Sequence, residues 1–230
     1  VSVLFPKWLN AIPTIGAAAS VGGLATVVLG TWYWATPDFF EVGYMPIQPE
    51  LGFSHQIHAG KLGLDCRYCH THVEESPEAN IPNVATCFGC HAETRLRAWE
   101  TQQVSWIREA YANDESIEWR RIHKLPDYVR NFPHHVHINA GVSCFSCHGQ
   151  IIGMPVVYQT QSLAMGWCLD CHRDPGGRLV PPDKVTDLIW VEQDWMSEPV
   201  DQRVHEGVTA QDLLASLRQA PPQNCGACHH

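Results

Sequence analysis

The chain has 230 residues and a formal net charge of −9, from 24 acidic and 15 basic side chains. That balance excludes binding to nucleic acid through phosphate neutralisation, and it suits a basic partner. Aliphatic content beyond the N-terminal stretch is modest, so one large domain or two small ones must be held together by something other than a large aliphatic core.

From Trp8 to Pro37 no side chain is charged. Residues 14–36 form an apolar run long enough, at about 20 residues, to span a bilayer as a helix. Pro13 suits its start and Pro37 its stop. Trp32, Tyr33 and Trp34 suit one membrane interface and Trp8 the other. A cleaved signal peptide fits less well, because the Ala-rich tract precedes most of the apolar run instead of ending it. Lys7 lies before the span, and Asp38, Glu41 and Glu50 follow it. The positive-inside rule then puts the N-terminus in the cytoplasm and the rest of the chain outside. Gly16, Ala19, Ser20 and Gly23 give small-residue spacings that favour contact with another helix in lipid. Residues 1–37 are thus a membrane segment, and residues 38–52, with Gly43, Pro46, Pro49 and Gly52, a linker.

The stretch from Phe53 to His91 has a counterpart from Phe132 to His172. Each opens with Phe-x-His-x-x-His: Phe53, His55 and His58, then Phe132, His134 and His137. Two Cys-x-x-Cys-His motifs follow in each: Cys66, Cys69, His70 and Cys87, Cys90, His91, then Cys144, Cys147, His148 and Cys168, Cys171, His172. Residues 75–83 read as loop. Between the copies, residues 93–111 place Leu96, Trp99, Trp106, Ile107, Ala110 and Tyr111 near helical period. Asn113 and Asp114 end that helix. Residues 118–130 carry His123. Residues 173–207 are rich in proline and acidic groups and read as an extended arm. Thr209 then caps a short helix with Asp212 at its third position and Leu213, Leu214 and Leu217 along it. Pro221 and Pro222 follow, and Cys225, Cys228 and His229 form a fifth motif, so the five motifs use all ten cysteines.

Cys-x-x-Cys-His is the attachment motif of c-type haem. Two thiols add across the vinyl groups on one porphyrin edge, and the adjacent histidine becomes the proximal iron ligand. The proximal ligands are then His70, His91, His148, His172 and His229. Zinc is the rival reading, because 17 residues separate Cys69 from Cys87 and 20 separate Cys147 from Cys168, as in zinc ribbons. A four-cysteine site has no use for the histidine, however, and the fifth motif lacks a partner pair. Disulfides would leave the repeated spacing unexplained. Five haems in the roughly 190 residues beyond the membrane segment allow about 38 residues each, too few for separate cores, so porphyrins are expected to pack together as the interior. Covalent haem attachment occurs outside the cytoplasm, in agreement with the charge asymmetry of the flanks.

Low-spin electron-transfer haem takes a second axial ligand, His or Met. Histidines three apart on a helix share a face and cannot clamp one iron from both sides. His55, His58, His134 and His137 are therefore expected on four separate irons, with His135 an open alternative beside His134. Met165 and His123 lead for the fifth distal position, ahead of Met154, His205, His72 and His230.

The combination of Phe53-Ser54-His55, His58-Ala59-Gly60, Cys66-Arg67-Tyr68-Cys69-His70, His123-x-Leu125-Pro126-Asp127 and Met165-Gly166-Trp167-Cys168-Leu169-Asp170-Cys171-His172 resembles the pentahaem cytochrome c subunit of bacterial alternative complex III, closely over about residues 53–180. The resemblance implies a quinol-oxidising complex of the bacterial inner membrane. An iron–sulfur subunit related to molybdopterin enzymes, polytopic membrane subunits and a monohaem cytochrome would be partners, and a soluble cytochrome c or an oxidase the acceptor. The expected fold is mainly α with long loops. It comprises one transmembrane helix, a tetrahaem domain over 53–180 built from repeats 53–91 and 132–172, and a C-terminal part over 181–230 with the fifth haem on the periplasmic side. Five haem c groups and no substrate site of its own complete the expectation. The alternatives are a self-contained membrane-anchored quinol dehydrogenase and a multihaem reductase with an open iron.

Overall fold

A computed structural model describes residues 6–35, 53–92, 104–119, 121–123, 125, 129 and 132–229. The linker over 38–52, Pro37 and residues 93–103 of the expected joining helix lie outside the described residues.

Helix α1, Ile12–Ala35, follows a 3₁₀ turn over Lys7–Ala11. Its 24 residues rise about 36 Å, enough for a hydrocarbon core of about 30 Å. Ile15, Val21, Leu24, Val27 and Leu29 are all exposed. Thr26 returns its hydroxyl to the Gly22 carbonyl at 2.8 Å, so this polar group needs no water. These are the properties of a candidate membrane span.

The rest is mainly helical in short pieces: α2 (Cys66–Cys69), α3 (Val84–His91), α4 (Ser105–Ala112), α5 (His134–Asn139), α6 (Cys144–His148), α7 (Met165–Arg173), α8 (Leu188–Trp190) and α9 (Ala210–Ser216). A hairpin of two-residue strands, Val204–His205 and Val208–Thr209, is the sheet among the described residues. The helices of the first three motifs start where a side chain caps them. Asp65 accepts from the Arg67 amide, Asn83 from Thr86 and Ser143 from Phe145. In the expected joining helix the described part is α4, which lies on α3 through Phe88 stacked on Tyr111, 3.9 Å apart and 4° from parallel.

The two copies hold each other reciprocally. In the second copy, the His134 and His135 amides donate to the Pro77 and Ser76 carbonyls, in the loop after the first copy's leading motif. In the first copy, the Gln56 amide donates to the Met154 carbonyl, in the loop after the second copy's leading motif. Beside it a side chain at Gly60 would collide with the Ile152 carbonyl, so only glycine permits this approach.

The stretch expected as an extended arm is folded. Leu179, Val180, Val185, Val191 and Trp195 are buried together with Ala210 and Leu213, and this cluster is the polypeptide core. Its apolar residues are spaced by prolines and acids that make tight turns, so no helical or strand period announces them. Trp195 Nε1 donates to the Leu179 carbonyl at 2.8 Å, and Arg203 donates to the Gly177 and Glu198 carbonyls, both at 2.9 Å. Gly141, at φ 89°, lets the chain pass against Val180, whose carbonyl would lie 2.7 Å from an added Cβ. The cluster backs onto Cys144 and Phe145, so it buttresses the third cysteine motif. Helix α9 has the expected Thr209–Asp212 capping box, and it stops at Ser216, five residues before Pro221, as Leu217 turns extended.

Candidate haem-attachment site

The geometry around the paired histidines is duplicated. Phe53 stacks on His58 at 4.6 Å and 22°, and Phe132 stacks on His137 at 4.6 Å and 23°. Phe53 meets His55 edge-on at 4.9 Å and 88°, and Phe132 meets His134 at 5.0 Å and 89°. The second histidine of each pair lies near the last motif histidine of its own copy: the ring centroids of His58 and His91 are 5.9 Å apart with planes tilted by 53°, and those of His137 and His172 are 6.1 Å apart with planes tilted by 39°. His134, not His135, occupies the place that His55 has in the first copy.

Ring tautomers are set by backbone oxygens. A ring nitrogen facing a carbonyl must donate, which leaves the other nitrogen with its lone pair free. His58 Nδ1 donates to Ser54 (2.9 Å), His70 to Asn80 (2.6 Å), His134 to Pro77 (2.8 Å), His137 to Pro133 (2.9 Å) and His172 to Pro222 (2.6 Å). Metal-binding histidine is commonly held this way.

For His55, His123, His137 and His148 burial favours the neutral ring, the form that ligates. It pushes His55 down to about 4, aided by the charges of His70, His58 and His123. It likewise pushes His123 down to about 4 and lowers His137 and His148. His148 differs from its counterparts, because its Nδ1 faces His123 Nε2 at 3.2 Å instead of a carbonyl. His205 Nε2 is engaged by Asp183 at 3.1 Å. Met165, at the start of α7, is exposed, and Met154 is buried.

None of the ten cysteines is paired in a disulfide. Burial drives the Cys147 thiol up to about 12. Cys66 and Cys144, from different copies, sit within hydrogen-bonding reach, which lowers the Cys66 thiol and raises that of Cys144. Among the described residues no three or more His, Cys, Asp or Glu side chains gather around one point to hold an ion.

These residues fit haem in three respects. Two trans imidazoles on one metal, with bonds of about 2 Å, put their centroids roughly 6 Å apart, the spacing of His58–His91 and His137–His172. Nδ1 of His55, and of His135, is buried without a partner. Buried apolar side chains are sparse in the first copy, where Val73 is the buried hydrophobic residue, so the polypeptide alone makes little interior there.

The chain is similar to a multihaem cytochrome. It is 28% identical over 133 residues to the multiheme cytochrome c subunit of a menaquinone reductase from Nitratidesulfovibrio vulgaris. The match covers 58% of this chain and 59% of the relative, so the chain spans about three-fifths of the length of the curated relative it matches. No protein-family model matches the chain.

Sequence reasoning singled out the cysteines and histidines. It gave the motif phenylalanines no task, and the structure makes them plates that fix both histidines of each pair. It also missed the His123–His148 contact, for which only the spacing of His123 before the second copy was a signal.

Proposed function

We propose that this chain is a membrane-anchored pentahaem c-type cytochrome that relays electrons between a quinone pool and another carrier, as a subunit of a complex of the alternative complex III type. The observation that carries this reading is the twice-built pair of facing imidazoles, His58–His91 and His137–His172, at 5.9 and 6.1 Å. Bound haem would supply one-electron redox chemistry at each iron. The protein supplies the rest. Five cysteine pairs tether the groups, and His70, His91, His148, His172 and His229 serve as proximal ligands. His58 and His137 are distal ligands to the irons of His91 and His172. His55 and His134 are assigned to the irons of His70 and His148, within their own copies. His55 feels the charge of His70, and His148 that of His134.

For the fifth distal position Met165 is better placed than His123. Met165 lies one turn before Cys168, which is within electrostatic range of Cys228 of the fifth motif. His123 already spends Nε2 on His148. Helix α1 anchors the chain in the bacterial inner membrane with the haem-bearing part on the periplasmic side. The iron–sulfur subunit, polytopic subunits and monohaem cytochrome of the resembled complex are the proposed partners.

The lead reading sends electrons from quinol towards a cytochrome c or an oxidase. The relative's name, a reductase of menaquinone, favours a second reading in which they run towards quinone. Stopped-flow spectroscopy of the purified complex separates the two. Quinol reducing the haems faster than quinone reoxidises them supports the first, and the reverse supports the second. Rapid reduction of the isolated chain by quinol would instead make it a quinol dehydrogenase in its own right. A pyridine haemochrome assay giving fewer than five covalent groups per chain would remove the proposal.

A further inference from the structure

The structure assigns a spatial order to the attachment sites that differs from their order in the sequence. We propose an unbranched row: Cys87/Cys90, Cys66/Cys69, Cys144/Cys147, Cys168/Cys171, Cys225/Cys228. The first copy is thus read backwards, the second forwards, and the row has two ends. The inference rests on the pentahaem reading above and adds which site neighbours which.

The centre of the row is fixed by side chains and backbone together. Cys66 and Cys144 sulfurs are within hydrogen-bonding reach. One dipeptide, Val185–Thr186, touches both motifs. The Cys144 amide donates to the Val185 carbonyl at 3.3 Å. The Thr186 hydroxyl donates at 2.9 Å to Asp65, the residue that caps the Cys66 helix. The leading motifs of the two copies therefore meet back to back. This agrees with the reciprocal packing of each histidine turn on the other copy's loop.

Outward from that junction each copy continues to its own second motif. His58, whose carbonyl accepts the Leu64 amide two residues before Cys66, has its ring 5.9 Å from that of His91, beside Cys90. His137, whose carbonyl accepts the Val142 amide two residues before Cys144, has its ring 6.1 Å from that of His172, beside Cys171. On the second copy's side the row goes one step further. Cys168 is within range of Cys228, and His172 Nδ1 donates at 2.6 Å to Pro222, three residues before Cys225.

Exposure marks the same two ends independently. Of the ten cysteines, eight are half-buried, and the two exposed ones are Cys90 and Cys225. They belong to the second and fifth motifs, the termini of the proposed row. A relay exchanges electrons with outside partners at sites near the surface, so these two motifs are the exchange points of the chain and the three between them are internal.

The test is an electron cryo-microscopy map of the full haem-loaded chain in its complex, with each iron assigned to its cysteine pair. The expected nearest neighbours are second with first, first with third, third with fourth, and fourth with fifth. An iron of the second motif lying nearer to that of the third, fourth or fifth than to that of the first overturns the order. A redox titration gives a second readout that does not need activity. Replacing both cysteines of the fifth motif (Cys225→Ala with Cys228→Ala) should move one of the four remaining midpoint potentials, that of its single neighbour. Two or more shifted potentials would contradict a terminal position. The haemochrome count separates the failures: five bound groups in another order sink the row alone, and fewer than five sink the pentahaem reading beneath it.

Discussion

Replacing His58 with alanine tests the facing-imidazole geometry where it is best defined. Two metal–nitrogen bonds of about 2 Å and the half-widths of two imidazoles account for roughly 6 Å between ring centroids. The observed 5.9 Å for His58–His91 matches that spacing. On the proposed assignment, cutting His58 back to a methyl group would remove one of two ligands to that iron and open a space about the size of an imidazole on that side. Phe53, stacked on the ring at 4.6 Å, cannot replace it because a phenyl group has no lone pair in its plane. The reduced His58→Ala protein should bind one equivalent of carbon monoxide per chain, and the wild type none. His137→Ala should do the same, because its ring faces His172 at 6.1 Å, and the double variant should bind two equivalents. Carbon monoxide difference spectra calibrated against a haemochrome count are the assay. If the single variants bind no carbon monoxide with five haems still attached, the distal assignment is wrong. If wild type already binds it, an iron lies open and the reductase alternative gains.

Met165→Ala should likewise open one iron to carbon monoxide. His123→Ala should open none and should shift one midpoint potential, because His123 touches the outer nitrogen of His148; the opposite pattern would exchange their roles. Trp195→Ala removes a core side chain that is 2% exposed, together with its hydrogen bond to Leu179. It should cost about 3–5 kcal/mol in denaturant unfolding followed by circular dichroism, and a loss below about 1 kcal/mol would mean that the cluster around Leu179 is not a stabilising core. Asp65 is held down to about 2, first by its hydrogen bond with Arg67. Its folded pKa is depressed, so its stabilisation is full above the ordinary 3.8 and is lost as pH falls to about 2. With side chains 43% and 44% exposed the pair gives no more than about 0.5 kcal/mol. Asp65→Asn should lower the melting temperature by roughly 1–2 °C at pH 7 and leave it unchanged near pH 2; a gap that persists at pH 2 would assign the effect to something other than the charge.

The proposed haem-attachment residues stand out in the sequence because haem attachment is local chemistry. Two thiols and a ligand must come from five consecutive positions, and the paired histidines from one helical turn. Helix α1 was legible for a similar reason, since lipid demands an unbroken apolar run. The core over 179–213 was not. Leu179, Val185, Leu188, Val191 and Trp195 are separated by Pro181, Pro182, Asp183, Asp187 and Asp194, so the stretch reads as an acidic linker until its turns bring those residues together. Neither could sequence show that Ser76 and Pro77 receive the second copy's histidine turn, or that Thr186 reaches Asp65, 121 positions away. Such contacts depend on the relative placement of the copies, which no local pattern encodes.

That placement gives the two kinds of interior separate tasks. The side-chain core lies against Cys144 and Phe145 and contributes Val185, the partner of the Cys144 amide. It thus fixes the third motif, the inner member of the second copy. Through Thr186 and Asp65 the same segment fixes the first motif. The only sizeable polypeptide core among the described residues therefore supports the junction between copies, where rigidity matters most for spacing two cofactors from separate halves of the chain. The outer motifs are held by local turns and by histidine–carbonyl bonds such as His172–Pro222. If haem fills the interior at both ends as proposed, the chain should lose order from its ends inward when haem attachment is blocked. Hydrogen exchange of chain produced without haem maturation would show this as protection surviving around Leu179–Trp195 and absent around Cys87–His91. Uniform loss of protection would mean that the side-chain core cannot stand without the haems.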